Sequence, residues 1–437
     1  NQPLKVFASL DQRHIGMEGM SITTQNTDNS CALWGFKEDH VMLKNVRMHE
    51  LSPKEYAIIS ITYLTNCDWD GLIIENFTTS RMGFLLINGY LAGIIRNSMF
   101  RNAISTYYST QSWACPLVWV SVGESIIVEN CIFANLTMAD DDTEALSFGS
   151  MPNSTVQQHF TFRNCLFSNI SCNERGLFVA ANAYPEMNFY NCTFAGHTGN
   201  GEALMVNGNV TISNSIFYND RSVEIAINPM DGTGIPTTLT LHNNLIRNGY
   251  SDIWQGIGST VIYNTTNITG NPLFLGGDDI HNPLYYSLSS ASPCIDAGTP
   301  DISGLSLLPY DLAGNMRVWN SVIDMGCFEF GAPPVVNDDP VIPQLSGSIY
   351  ATNYPNPFNP ETSIRFHLPV GGLTELGVYN LKGQLVRKLI SADMAAGMHT
   401  VQWNGRDKHN QPVSSGMYLY RIESSKQQCM GKMVLMK

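Results

Sequence analysis

Three groups of side chains in this sequence have the types and spacing to hold a ligand or do chemistry. The run Asp140-Asp141-Asp142-Thr143-Glu144 gathers four carboxylates in five residues. Clustered carboxylates repel one another unless a cation or solvent screens them, and Ca²⁺ prefers such oxygen donors. Asp140, Asp141, Asp142 and Glu144 are therefore candidate Ca²⁺ ligands, against the plainer and preferred reading of a solvated loop. The aromatic residues Tyr107, Tyr108, Trp113 and Trp119 could stack on sugar rings, although such rings more often fill cores. Asp296, Asp311, Asp324 and Glu329 could form a metal or acid/base cluster, but each sits in a turn-like motif where Asp bonds local backbone, and that structural reading is preferred. No GxSxG, HExxH or P-loop motif is present, and no Arg or Lys is marked as a proton abstractor, so catalytic residues are not identified.

These groups must be positioned by the rest of the chain. Its 437 residues are 43% hydrophobic, enough to bury a large core, yet only 14% are charged. Helices usually carry Lys/Glu-rich solvent faces; short Asn, Ser and Thr side chains suit strands better. The formal net charge of −13, with no Lys/Arg cluster, argues against nucleic-acid partners. The longest apolar stretch, residues 82–95, is broken at Asn88-Gly89 and is too short to span a bilayer. Ten cysteines show neither CxxC pairs nor zinc spacing and read mostly as buried free thiols. Residues 1–10 lack the charged start and apolar block of a signal peptide, and the start reads as the processed or truncated interior of a repeat.

The strongest signal is an internal repeat. Five segments align without gaps: 126–133 (IIVENCIF), 160–167 (FTFRNCLF), 187–194 (MNFYNCTF), 210–217 (VTISNSIF) and 239–246 (LTLHNNLI), with looser copies at Asn45, Asn76, Asn97 and Asn264. The shortest Asn-to-Asn spacing is 21 residues, taken as the bare coil, and longer spacings hold loops. Phe160 and Phe162 alternate with Thr161 and Arg163, so one face of a strand points inward. Asn164 breaks the alternation. Asn tolerates the left-handed backbone better than other non-Gly residues and can sit at a sharp bend between strands. Stacked about 4.8 Å apart, such side chains can hydrogen-bond as a ladder. One coil cannot bury its apolar face; a stack can. Cys131, Cys165 and Cys192 fall at one repeat position and read as stacked small buried residues rather than a metal or redox column.

From about residue 12 to 265 this pattern resembles the right-handed parallel β-helix of the pectate-lyase-like superfamily, a likeness specific for fold and nearly silent about activity. Polygalacturonases of similar fold carry N-T-D, D-D, G-H-G and R-I-K in order. Asn26-Thr27-Asp28 and Asp140-Asp141 match the first two only at a far larger separation, His197 sits in Gly-His-Thr, and no R-I-K follows. That narrower likeness is discounted.

Beyond Asn264 the motifs NPLF (271–274), SPCIDAG (292–298), DLAGNMR (311–317) and IDMGCFEF (323–330) resemble the terminal module of choice-of-anchor surface proteins. The resemblance implies that residues 266–330 close the last coil, whose open strand edge is otherwise an aggregation site. Cys294 and Cys327 lie in two motifs expected to meet, so a disulfide between them is expected in an oxidising compartment. Residues 331–348 are Pro-rich and read as a linker, and 349–437 hold about seven short strands separated by turn residues, a small antiparallel sandwich. The expected domains are thus 1–265, 266–330, 331–348 and 349–437: all-β, a right-handed parallel β-helix (solenoid) followed by an immunoglobulin-like sandwich.

In the sandwich, Tyr354-Pro355-Asn356-Pro357-Phe358, VYNLKG (378–383), WNGRD (403–407), SGMY (415–418) and the basic ending 432–437 resemble the C-terminal sorting domain of the type IX secretion system. The immunoglobulin-like domain of flagellar-hook capping proteins shares much of this pattern. The resemblance implies recognition by the secretion machinery, with Tyr354, Pro355, Asn356, Pro357, Phe358, Gly416, Tyr418, Lys432 and Lys437 as sorting residues. It also implies an extracellular or outer-membrane-surface location on a Gram-negative bacterium. The sequence reading is a non-enzymatic surface protein for adhesion or glycan binding, with no transmembrane segment; the alternative is a secreted polysaccharide lyase or glycoside hydrolase on the same scaffold.

Overall fold

The computed structural model describes residues 6–7, 14–19, 21–23, 33–36, 40–49, 58–62, 64–79, 85–106, 117–138, 144–150, 157–172, 176–180, 185–227, 237–277, 279–320, 322–333, 335, 349–354, 358–368, 371–380, 382–395, 397–424 and 427–436. Two compact units divide at residues 343 and 344. The chain is all-β, as expected, with two short 3₁₀ turns and no α-helix among the described residues.

In the first unit each coil contributes up to three strands, and every strand pairs in parallel with its counterpart one coil away. The first face includes Asn66–Asp70, the C-terminal half of Leu85–Arg96, that of Val118–Glu129, His159–Arg163, Glu186–Tyr190, Asn209–Ser213, Thr237–His242 and Ser259–Tyr263. The second face runs through Ile73–Thr79, Met99–Ser105, Ile132–Met138, Leu166–Ser171, Thr193–Ala195, Ile216–Tyr218 and Leu245–Ile246. A third face holds the N-terminal half of Val118–Glu129, then Leu146–Ser150, Leu177–Ala180, Leu204–Val206, Ile225–Ile227 and Ile253–Gln255. This is a parallel β-helix.

The bend between the first two faces is where the repeat's Asn sits. Asn45, Asn97, Asn130, Asn164, Asn191, Asn214 and Asn243 all have φ between 51° and 55°. Asn164 Nδ2 donates to Asn130 Oδ1 at 2.8 Å, Asn130 Nδ2 to Asn97 Oδ1 at 2.8 Å, and Asn97 Nδ2 to Asp70 Oδ1 at 2.8 Å. Asn191 follows by register, Tyr190 standing opposite Arg163. Two sequence assignments are corrected. Asn76 belongs to another column, because Gly71 (φ 73°) turns the first bend of its coil, and Asn264 falls opposite His242 rather than Asn243, without a positive φ. The second column is a further ladder, Asn169 to Asn135 (3.1 Å), Asn135 to Asn102 (2.8 Å) and Asn102 to Asn76 (2.8 Å), at a positive-φ bend in the middle of the second-face strands.

Between the ladders lies the dry interior. Phe100, Phe133, Phe167, Phe194 and Phe217 stack face to face at 5.0, 5.1, 4.5 and 4.6 Å. In-register strands hold identical rings at strand spacing, so each aromatic gains dispersion on both faces in addition to its burial. The thiols of Cys131, Cys165 and Cys192 contact the carbonyl two residues back, as do the hydroxyls of Ser98 and Ser215 at the same position. They are a column of small buried residues. Outside, beside the Asn bend, Glu18, Lys44, Asp70, Arg96, Glu129 and Arg163 alternate in sign along six coils, with Arg96 Nε 3.0 Å from Asp70 and Arg163 Nε 2.6 Å from Glu129. A slip of one coil would set like charges side by side, so this column favours the observed register.

Residues 266–270 continue the last coil, Ile268 pairing in parallel with Leu245, whereas the described residues between 271 and 335 run back along the second face as a strap rather than lying over the end of the rod. Asn243 Nδ2 donates to Ala297 O, Thr299 N to Asn214 Oδ1, Asn191 Nδ2 to Asp324 O, Asn164 Nδ2 to Tyr310 O and Asn169 Nδ2 to Ile280 O, while His281 Nδ1 lies 2.9 Å from Asn135 Oδ1. Toward the last coils the outward side of the second face is apolar, and Ile216 and Leu245 pack there with Leu288, Cys294 and Met325 of the strap, which that burial holds in place. The last-coil strands Ile253–Gln255 and Ser259–Tyr263 keep one neighbour each, and Trp254, Ile257 and Ile262 there are exposed.

The expected Cys294–Cys327 disulfide is absent; both are free, buried thiols. Their motifs do meet, Met325 N donating to Cys294 O, but the Cys327 thiol lies 3.3 Å from the Thr193 hydroxyl on the β-helix while Cys294 belongs to the apolar packing. Burial pushes each thiol up to about 12, which keeps it protonated and unreactive.

In the second unit, Tyr350–Tyr354, Thr362–Leu368 and Gly397–Trp403 form one antiparallel sheet. Leu385–Met394, Gly372–Asn380, Gly416–Ser424 and Gln427–Leu435 form the other. Ile364, Phe366, Leu376, Val378, Trp403 and Ile422 fill the space between. This is the expected sandwich.

Candidate functional site

The structure fixes the register of the strands that flank the aromatic and acidic segments of the sequence. Residues 107–116 leave after the second-face strand Met99–Ser105 and return at Leu117, ahead of Val118–Glu129; residues 139–143 leave after Ile132–Met138 and return at Glu144, ahead of Leu146–Ser150. Ser105 pairs with Met138 and Val118 with Leu146, so the segments start and finish on neighbouring strands, one coil apart. Tyr107, Tyr108, Trp113, Asp140, Asp141 and Asp142 themselves lie outside the described residues. Trp119 occupies a third-face register position between Leu86 and Ser147, and Glu144 is half-buried at the loop's return. Among the described residues no group of three or more His, Cys, Asp or Glu is placed to hold a metal.

The carboxylates of the strap are committed to backbone. Asp311 accepts from the amides of Ala313, Asn315 and Glu329 at 2.9, 2.7 and 2.8 Å. Asp324 accepts from those of Asp296 and Phe330 at 2.7 and 2.6 Å. Glu329 accepts from Asp324 N at 3.2 Å and pairs with Arg317 at 3.1 Å. Turn and backbone bonds account for both oxygens of Asp311 and of Asp324 and for one oxygen of Glu329. Arg317, which the sequence reading missed, is the hub: its guanidinium also donates to Asn164 Oδ1 at 3.3 Å and Asp324 O at 3.0 Å. The one signal for it was its position inside the Asp311–Arg317 motif.

A second buried polar group, also missed, staples turns between the second and third faces. Asn219 donates to both oxygens of Glu224 at 2.7 and 2.6 Å and accepts from His197 N at 2.8 Å. Arg247 stands 3.6 Å from Asp252 and 4.0 Å from Glu224, and Arg221 donates to the carbonyls of Thr198 and Cys172 in earlier coils. Burial pushes Glu224 up to about 7 and His197 down to about 3. His197 is wholly buried with Nε2 3.1 Å from Phe167 O, a structural position with no route to a substrate. Asn26 and Asp28 lie outside the described residues.

In the sandwich the first and last of these motifs meet. Phe358 N donates to Val434 O and Met436 N to Phe358 O, both at 2.9 Å, so the chain at Phe358 bridges in parallel to Leu435 of the final strand. The Phe358 ring lies 5.5 Å from Trp403, which meets Tyr418 edge-on at 5.1 Å. Trp403 Nε1 donates to Arg406 O at 2.9 Å and the Tyr418 hydroxyl to Ser414 O at 2.7 Å. Gly405 has φ 64° and brings its backbone to the Pro360 carbonyl, where a Cβ would stand 3.0 Å away. The separated motifs thus build one aromatic cluster. Tyr354 ends the first strand of the unit, Gly416 opens its strand at φ 151°, and Lys432 stands opposite Leu419; Pro355, Asn356, Pro357 and Lys437 lie outside the described residues.

No curated protein matches the chain. A solved structure of PorZ, described as an essential bacterial surface component of the type IX secretion system of Porphyromonas gingivalis, is similar over 20% of this chain and 11% of the PorZ chain, with 18% identity and a TM-score of 0.16. Residues 363–428, within the sandwich, match the family model of the FlgD Ig-like domain.

Proposed function

We propose that this is a bacterial surface protein, exported by type IX secretion through its C-terminal sandwich, whose β-helix binds a glycan at the cell surface. The observation that carries the export half is the match of residues 363–428 to the FlgD Ig-like domain, in a sandwich that joins the Phe358 motif to the final strand. Segments that meet only in the folded domain make a recognition surface that a secretion receptor can read as one epitope. The binding half is supported by the register of the strands that flank the aromatic and acidic segments, whose ends lie on adjacent coils.

The test is to express the full chain and a chain ending at residue 343 in a type IX-competent Gram-negative host and in its secretion-null derivative. Protease shaving of intact cells should digest the full chain in the competent host alone. Surface exposure of the truncated chain, or of the full chain in the null host, refutes export by this route. Co-sedimentation of the purified chain with insoluble acidic and neutral polysaccharides tests the second half, with product analysis for unsaturated or reducing ends. Loss of co-sedimentation on combined Tyr107→Ala and Trp113→Ala substitution is the expected result; wild-type binding by that variant removes the aromatic segment from the reading.

A further inference from the structure

The strap crosses the β-helix over a buried charge imbalance. Arg317, Asp311, Asp324 and Glu329 are each at most 5% exposed. One guanidinium therefore faces three carboxyls. The other ionisable groups turned toward them do not supply the missing charge. From the strap these are Asp296 and Cys327; behind Cys327 stand the thiols of Cys165 and Cys192, and the neighbouring Tyr310 faces Glu129, Asp70 and Arg96 of the rod, which together carry no net positive charge. Fully ionised, the cluster would hold two uncompensated negative charges away from water, a state a protein avoids by keeping a proton.

We propose that the strap is a pH-sensitive latch: Glu329 keeps its proton while the strap is seated on the second face, and loss of that proton loosens the strap. Glu329 is the natural holder. Asp311 accepts three backbone amides and Asp324 two, which favours their ionised forms, whereas Glu329 accepts a single amide and shares Arg317. Burial pushes Glu329 up to about 8 and Asp324 up to about 6, and raises Asp311 as well. A carboxyl whose value is raised in the seated state stabilises that state fully below its ordinary range near 4.5, and the stabilisation is lost as pH rises through about 8. Taking these two values, strap opening becomes on the order of 10- to 100-fold more favourable between pH 6 and pH 9. The released segment would uncover the apolar outer stripe at Ile216 and Leu245 while the rod beneath stays wound.

The experiment is amide hydrogen exchange on the full chain from pH 6 to pH 9, corrected for intrinsic base catalysis. Protection of the strap amides of Ala313, Asn315, Glu329 and Phe330 is compared with that of Phe162 and Phe189 in the rod. The expected result is a 10- to 100-fold loss of protection confined to the strap amides. Equal pH dependence in strap and rod overturns the proposal from the wild-type chain alone. Glu329→Gln, which keeps a neutral side chain of the same shape, should leave the strap protected at pH 9; a Glu329→Gln strap that still loosens as wild type does overturns it too.

Discussion

Replacing Asn164 separates two contributions that meet at one residue. Its φ of 55° costs Ala about 1–2 kcal/mol, whereas Gly adopts it freely. Its side chain donates to Asn130 Oδ1 at 2.8 Å and accepts from Arg317 at 3.3 Å. Asn130 is fully buried, so removing the donor leaves an unpaired oxygen at a cost of about 1–3 kcal/mol; Arg317 keeps Asp324 O and Glu329. Asn164→Ala should therefore lose about 2–5 kcal/mol, and Asn164→Gly should recover about 1 kcal/mol of that. Equilibrium urea unfolding of the full chain, followed by tryptophan emission, measures both. A rod's stability is roughly a sum over coils and their interfaces, so the difference between the two variants is firmer than either loss. If Ala and Gly variants unfold within about 0.3 kcal/mol of each other, the bend is not held by backbone conformation; if Ala loses less than about 1 kcal/mol, the ladder contributes nothing.

Phe167→Ala should cost about 3–5 kcal/mol, and a double-mutant cycle with Phe194 should show about 0.5–1.5 kcal/mol of coupling, since the rings stack at 4.5 Å; zero coupling would mean burial alone accounts for the column. His197, pulled down to about 3 by burial and then by the Arg221 charge, stabilises the fold above about pH 6.5 and loses that contribution as pH falls toward 3. His197→Gln should accordingly remove up to about 3 kcal/mol of the stability lost between pH 7 and pH 4, and an unchanged acid limb in urea melts would exclude His197 as its source.

Much of the fold was legible because its rules are local. An Asn that interrupts alternating apolar residues marks a left-handed bend wherever it occurs, and Asn130, Asn164, Asn191, Asn214 and Asn243 were read correctly on that ground. Asn76 was misassigned because its local pattern fits either bend of a coil, and only strand register decides between them. The same ambiguity hid the second ladder, although Asn102, Asn135 and Asn169 each follow a first-ladder Asn by five residues. The candidate site was less legible. Sequence marked the aromatic and acidic segments separately, and register set their ends side by side. The Arg317 cluster left almost no trace because its Asn164 partner is 153 residues away, and the Glu224 group because its partners meet only when adjacent coils stack.

By itself the sequence determined that this chain bends at Asn, alternates between inward and outward residues, stacks like upon like, and ends in a separate small sandwich. Those are properties of residue types and their immediate neighbours. Tertiary structure alone decided that the described residues between 271 and 335 lie along the rod, that Cys294 and Cys327 remain free thiols, and that Phe358 pairs with the final strand. Each of these depends on which distant surface offers the larger apolar stripe or the unmet hydrogen bond, and that is set only when the coils are stacked.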